Sequence, residues 1–226
     1  PRLLYPLSHG RSFSKGYYAR VENDGLYGRL FRLFVRPLLS TLEAETDAAI
    51  CEYLAAFRYA LAGEFAMTGD LARRMRIQRR WGLEIGTLGE AFRLAGTDDT
   101  AQIDLGIHRH DHRSVSGPSG LSEMAEQVGE ALFRAVEENG PTPDYETLPE
   151  RYRSTADRLV DAYELDAGFN DLSFDAADER RQVETYADAI AAPGVDDRLP
   201  AWDDAPLSVA TIVDDVSADL AEAREG

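Results

Sequence analysis

The sequence predicts an α/β chain whose last third is helical and strongly acidic, and three observations lead there. Ile103 to Ile107 alternates apolar and polar side chains, the period of a half-buried strand. Several stretches between residues 25 and 138 repeat apolar residues at helical spacing. Residues 141–226 carry 22 acidic and 7 basic side chains, three further helical patterns and no clear strand signal. At 226 residues the chain is long enough to bury a core, as one domain or two.

Composition narrows the function classes. The formal net charge is −17, of which residues 1–140 contribute only −2 and residues 141–226 contribute −15. No basic surface of the kind a nucleic-acid binder needs is evident. No run is apolar for long enough to span a membrane, and no signal peptide opens the chain. The single cysteine, Cys51, excludes an internal disulfide framework, fits a reducing cytoplasm and reads as core. Lys15 is the one lysine against 23 arginines. Acid-rich, lysine-poor composition is expected of a salt-loving cytoplasm, where carboxylates keep the surface hydrated. The start at Pro1 rather than Met is the mark of a processed chain, a crop or a fragment.

In chain order, residues 11–20 (RSFSKGYYAR) read as a short strand and a loop, with Lys15 either a surface charge or a point charge aimed at phosphate. Gly25 to Leu42 follows with Leu26, Leu30, Leu33, Phe34 and Leu38 at helical spacing, kinked or broken at Pro37. Gly28 and Arg29 at that helix start suit an anion, through free backbone N–H groups and a guanidinium fork; an arginine on a solvated helix face fits equally. Residues 46–60 are helical, and Gly63 marks a turn or a close backbone approach.

Residues 70–80 are basic, and 81–95 (WGLEIGTLGEAFRLA) form an amphipathic helix. There Glu84 is either a first-turn residue favoured by the helix dipole or a site residue. Next comes Gln102–Arg113 (QIDLGIHRHDHR), a strand with a possible turn at Gly106 and then His108, His110 and His112 at spacing two. In extended backbone the three imidazoles share a face, as half of a metal site or as an idle polar strand end. A loop over 114–120 leads into a helix from Ser122 to about Glu138. Pro141 and Pro143 mark a boundary, followed by helices near 147–166, 174–192 and 206–224 that read as a solvated appendage.

Five stretches taken in order, FSKGYYAR (13–20), GRLFRLFVRPLL (28–39), LAGEFA (61–66), WGLEIGTL (81–88) and AQIDLGIHRHDHR (101–113), resemble the second half of the glucosyl-3-phosphoglycerate synthase family. These are retaining GT-A glycosyltransferases, to which the mannosyl-3-phosphoglycerate synthases are similar. The resemblance fades after about Gly140. It implies that residues 1–140 are the acceptor- and metal-binding part of a GT-A fold and that residues 141–226 are an acidic helical extension.

It further implies transfer of a hexose from a nucleotide-sugar to 3-phosphoglycerate, giving an osmolyte precursor, with Mg2+ or Mn2+ as cofactor and a homodimer as the assembly. His110 matches the family's metal-binding histidine, with His108 and His112 either supporting the metal ligand or facing substrate, and Arg113 facing substrate. Lys15 matches the donor-site lysine, Gly28 and Arg29 the loop that holds the acceptor's anionic groups, Glu84 the residue on the hexose hydroxyls, and Gly63 and Glu64 the same pocket.

Three departures accompany the likeness. The family's Arg-Val-Thr is here Arg29-Leu30-Phe31; the residues two before and two after the metal histidine are His108 and His112 instead of arginine and asparagine; and no Asp-x-Asp occurs in residues 1–40. The nucleotide-binding half would precede Pro1, so the expectation is a crop of a longer enzyme or a product that needs another chain. A transferase with another acceptor, or a non-catalytic helical assembly module, are the competing readings.

Overall fold

A computed structural model describes residues 1–19, 21–22, 25–107, 118–206 and 208–225. Its spine is a helix running from Leu30 to Glu45, built because Leu30, Phe31, Leu33, Phe34, Val35, Leu38, Leu39 and Leu42 recur around it and all are buried. Leu30–Val35 is wound as a π-helix and Arg36–Glu45 (α2) as an α-helix. The Arg36 N–H reaches back five residues to the Phe31 carbonyl.

That wide turn is where Pro37 enters. Proline brings no N–H for the carbonyl four residues earlier, Leu33, and its ring crowds that carbonyl. The helix neither breaks nor ends there. Instead the Tyr152 hydroxyl donates to the Leu33 carbonyl at 2.6 Å, from a side chain that is wholly buried. A π turn and a tyrosine from far along the chain together absorb the proline.

The sheet is small. β1 (Phe13–Ala19) lies between β4 (Phe65–Met67), antiparallel to it, and β5 (Thr100–Ile107), parallel to it. The β1–β5 ladder runs from Phe13 opposite Thr100 to Tyr17 opposite Asp104, then slips so that Ala19 faces Ile107. The extra residue in β5 is accommodated by Gly106 at φ +83°, whose N–H bonds the Asp104 carboxylate at 2.8 Å. The turn expected at Gly106 is therefore a bulge inside the strand. A two-stranded ribbon, β2 (Val21–Glu22) and β3 (Gly25–Leu26), precedes the spine helix. The helix expected from Gly25 thus starts only at Leu30, because Gly28 sits at φ +79°, outside helical space.

Around these elements stand α1 (Leu4–Ser8), α3 (Ala49–Ala55), α4 (Gly69–Arg74), α5 (Leu83–Ala95), α6 (Pro118–Asn139), α7 (Leu148–Phe169), α8 (Ala176–Ala187) and α9 (Val209–Glu225). The helices expected over 81–95, 147–166, 174–192 and 206–224 are present, and the one expected over 46–60 is shorter, Ala49–Ala55. α6 begins four residues before Ser122, at Pro118, a residue suited to a first helical turn. Cys51 is buried, as expected. β4 went unread because three residues carry no periodicity of their own; their strand state comes from pairing with β1.

The solvated appendage expected after Pro143 is found only in α9, where Val209, Val213, Val216 and Leu220 are exposed. α7 and α8 instead join the main core through Leu148, Tyr152, Ala156, Val160, Val183, Tyr186 and Ala187. Phe34 of the spine meets the Tyr152 ring at 6.0 Å and the Tyr186 ring at 5.5 Å. Apart from Glu179, which is buried, their acidic residues lie on the outer faces, which is how a net charge so negative coexists with a packed inner face.

A second tie is ionic. Burial would raise the Glu90 carboxyl, but Arg93 and Arg76 hydrogen-bond it and hold it down at about 2. Arg76 and Arg198 both reach Glu138 in α6, and Ile77 bridges Leu199, so the segment before α9 is pinned to α5 and α6.

Replacing Tyr152 by Phe keeps the ring and strands the Leu33 carbonyl. The expected loss is about 1–3 kcal/mol of unfolding free energy, the cost of leaving a buried polar group unpaired, read from a lower denaturant midpoint at unchanged slope. An unchanged midpoint contradicts the role given to this bond.

Candidate active site

Lys15, the side chain most unlike its composition, anchors the site. It sits in the middle of β1 with 1% of its surface exposed. Its Nζ donates to the Ala62 carbonyl and lies 5.8 Å from the centre of the Phe65 ring. A surface charge it is not. Burial lowers the Lys15 ammonium, the nearby Glu84 and Glu64 carboxylates push the other way, and the outcome is about 8.

Glu64 is set by β1 itself: the Gly16 N–H donates to the Glu64 carbonyl at 2.8 Å, and Lys15 pairs with Phe65 in the ladder. Gly63, expected to mark a turn or a close approach, has ordinary φ, and a Cβ added there would meet no atom of the described residues within 4 Å. The space beside it is open.

Glu84 stands in the first turn of α5, where a carboxylate faces the unpaired N–H groups. It is half-buried and borders a cavity of about 200 Å³ with Gly28, Phe31, Tyr59, Trp81 and Met124. Gly28 and Glu84, 56 residues apart in sequence, therefore share one opening. Phe31 packs edge-on against Tyr59 at 5.0 Å. An aromatic wall thus stands where the resembled family has a threonine.

Arg29 is not on a solvated helix face. Its Nε bonds the Glu179 carboxylate of α8 at 2.8 Å and its Nη2 bonds Asp178. Arg32, one turn on, takes the other Glu179 oxygen at 2.8 Å. Burial would lower the Arg29 guanidinium, and the Asp178 and Glu179 carboxylates more than reverse it. The parallel bridge between Gly25 and Ser173 holds the ribbon before Gly28 against the turn leading into α8. Asp178 and Glu179 were missed from the sequence; an acidic pair opening a helix reads as ordinary dipole stabilisation, and nothing local points 150 residues back.

His108, His110, His112 and Arg113 lie outside the described residues. What precedes them is described: β5 runs to Ile107, beside the end of its parallel neighbour β1. In open α/β sheets ligands gather at the carboxyl ends of parallel strands. Among the described residues no group of three or more His, Cys, Asp or Glu side chains could hold a metal ion. The imidazoles of the histidine run are of a type that suits a divalent ion which also takes carboxylate and phosphate oxygens. No helix among the described residues is long and apolar enough to cross a membrane.

The chain's only lysine gives a clean readout. With 13C-labelled lysine, the Lys15 resonance of residues 1–226 is expected to titrate near about 8, and lower still in a Glu84→Gln variant, which removes a carboxylate that raises it. A midpoint at the ordinary 10.5 contradicts the burial described here. The sign for stability follows. The unfolded chain binds the proton more tightly, so stability rises with pH between about 8 and 10.5.

No family model matches the sequence. Over 89% of its length the chain is 40% identical to the glucosyl-3-phosphoglycerate synthase of Methanococcoides burtonii, and over 84% it is 35% identical to that of Persephonella marina. It covers 54% and 49% of those proteins, so it spans about half the length of the curated relatives it matches. Among solved structures it is similar to glucosyl-3-phosphoglycerate synthase from Mycobacterium tuberculosis in complex with Mn2+, UDP-glucose and phosphoglyceric acid. That match has 29% identity and a TM-score of 0.49, and covers 62% of this chain and 44% of the other. By sequence, the chain is a relative of the glucosyl-3-phosphoglycerate synthases.

Proposed function

We propose that the chain is the acceptor- and metal-binding part of a metal-dependent retaining glycosyltransferase of GT-A fold. Its reaction is transfer of a hexose from a nucleotide-sugar to 3-phosphoglycerate, giving glucosyl-3-phosphoglycerate. The observation that carries this reading is 40% identity across 89% of the chain to a synthase of that name. The burial of Lys15 in β1 and the cavity that Gly28 and Glu84 share support it. The nucleotide-binding half of the reaction lies in the part of the relatives that this chain does not span, and the reading extends to a cytoplasmic homodimer.

Each residue has a role its chemistry can fill. His110 would hold the divalent ion, Mg2+ or Mn2+, which when bound neutralises charge on the departing nucleotide diphosphate. Lys15, cationic below about 8, adds a fixed positive charge on the donor side without solvent to screen it. Glu84 accepts hydrogen bonds from hexose hydroxyls and fixes the sugar, with Gly63 and Glu64 lining the same pocket; positioning of this kind is worth several kcal/mol of barrier, roughly 7–11 at the limit. Gly28 leaves its backbone open to the acceptor, Arg29 pairs with an acceptor anion, and His108, His112 and Arg113 face substrate. The acceptor hydroxyl attacks the anomeric carbon as the carbon–oxygen bond to the diphosphate breaks, its proton passes to an oxygen of the departing diphosphate, and no enzyme nucleophile is needed for retention.

A second reading keeps the chemistry and changes the acceptor. It is favoured by Phe31, whose ring against Tyr59 removes the hydroxyl found in the resembled family.

The test is a transfer assay on the full-length product in high salt with magnesium or manganese. It offers UDP- and GDP-hexoses with 3-phosphoglycerate and with other small anionic hydroxy acids, beside a His110→Ala variant. Expected are turnover that requires the metal and a loss of at least about 100-fold in the variant, beyond what disturbing an outer partner of a metal site costs. Turnover only with another acceptor selects the second reading. A wild-type protein that binds no divalent metal overturns both.

A further inference from the structure

We propose that Asp178 is a resident counter-anion of Arg29, displaced by the anionic group of the acceptor, and that Glu179 is the positioning residue that keeps Arg29 in place through the exchange. The proposal rests on the reading of Arg29 as an acceptor-binding residue.

The two carboxylates hold Arg29 differently. Glu179 has 5% of its side chain exposed and bridges two arginines, taking Arg29 Nε on one oxygen and Arg32 Nη1 on the other, both at 2.8 Å. Arg32 is itself fixed: its Nε and Nη2 donate to the Tyr27 and Leu26 carbonyls at 3.2 Å, and its guanidinium lies 5.1 Å from the Tyr163 ring. Glu179 is therefore bound into a buried pair that would be costly to open.

Asp178 faces water. It and Arg29 are 38% and 37% exposed, and its second oxygen is already held by Arg181 at 3.0 Å. Releasing Arg29 leaves Asp178 solvated and still paired, so the swap costs little.

Charge sets the direction. Arg29, Arg32 and Arg181 bring three positive charges and Asp178 and Glu179 bring two negative ones, so the resting cluster presents one net positive charge to an incoming anion. A phosphate or carboxylate that takes the Nη2 edge of Arg29 replaces one anion by another. The guanidinium fork suits that exchange, since it offers donors on separate edges and Nε stays on Glu179 throughout. The site thus has built-in selectivity. A neutral hydroxyl compound cannot replace Asp178, whereas a doubly charged oxyanion outcompetes it.

The test measures acceptor and donor KM in the full-length enzyme. With Asp178→Asn, acceptor KM is expected to fall about threefold, the scale of one exposed ion pair, and the donor KM to hold. With Glu179→Gln, acceptor KM is expected to rise at least about tenfold while donor KM again holds, a split that a general loss of fold would not produce. Arg29→Ala separates the two claims. If Arg29→Ala raises acceptor KM and Asp178→Asn leaves it unchanged or raises it, the exchange is wrong and the acceptor reading survives. If Arg29→Ala leaves acceptor KM unchanged, the acceptor reading fails and takes the exchange with it.

Discussion

Pro37 inside the Leu30–Glu45 helix is the constraint on which the rest of this structure depends. A proline seven residues into a buried helix removes one N–H and displaces one carbonyl, at a cost of about 3 kcal/mol or more if nothing responds. Here two things respond. The first turns widen to a π-helix, and Tyr152 of α7 supplies the missing donor to Leu33. The repair reaches across 119 residues, so the acidic extension is part of what makes the spine helix possible.

Once α7 is seated there, α8 follows. Tyr186 and Val183 bury against the same face, and the start of α8 arrives beside the start of the spine helix. That brings Glu179 and Asp178 to Arg29 and Arg32, and the Gly25–Ser173 bridge fixes the ribbon before Gly28. On the other side of the spine, Phe31 and Gly28 border the cavity that Glu84 enters from α5. The site is thus a junction of elements from all three thirds of the chain. The negative charge of the extension is met at that junction by arginine, and the field felt by an anionic ligand depends on those pairs rather than on the net charge.

Much of this was legible in the sequence, for reasons that differ by element. α5, α6 and α7 repeat their apolar residues strongly enough for period alone to place them, and β5 alternates. Pro37 was visible as a conflict with the helical pattern, though not its resolution, because the donor to Leu33 lies outside any local window. Lys15 drew notice as the only lysine, yet its burial comes from Ala62 and Phe65, which adjoin it only once β4 pairs with β1. Gly28 and Glu84 were singled out by local pattern, Gly28 at a helix start and Glu84 in a first turn, and they line one cavity. The partners of Arg29 were illegible, since acidic residues are abundant throughout α7 to α9 and no period distinguishes Asp178 and Glu179 from those left in solvent.

Native-state hydrogen exchange tests the central claim, that residues 1–140 and the helices α7 and α8 form one cooperative unit around the proline-bearing helix. The slowest amides of α2, β1, α7 and α8 are expected to exchange with one common opening free energy, the global one. Protection of α7 and α8 lost at distinctly lower free energy, with α2 and β1 still closed, would contradict it.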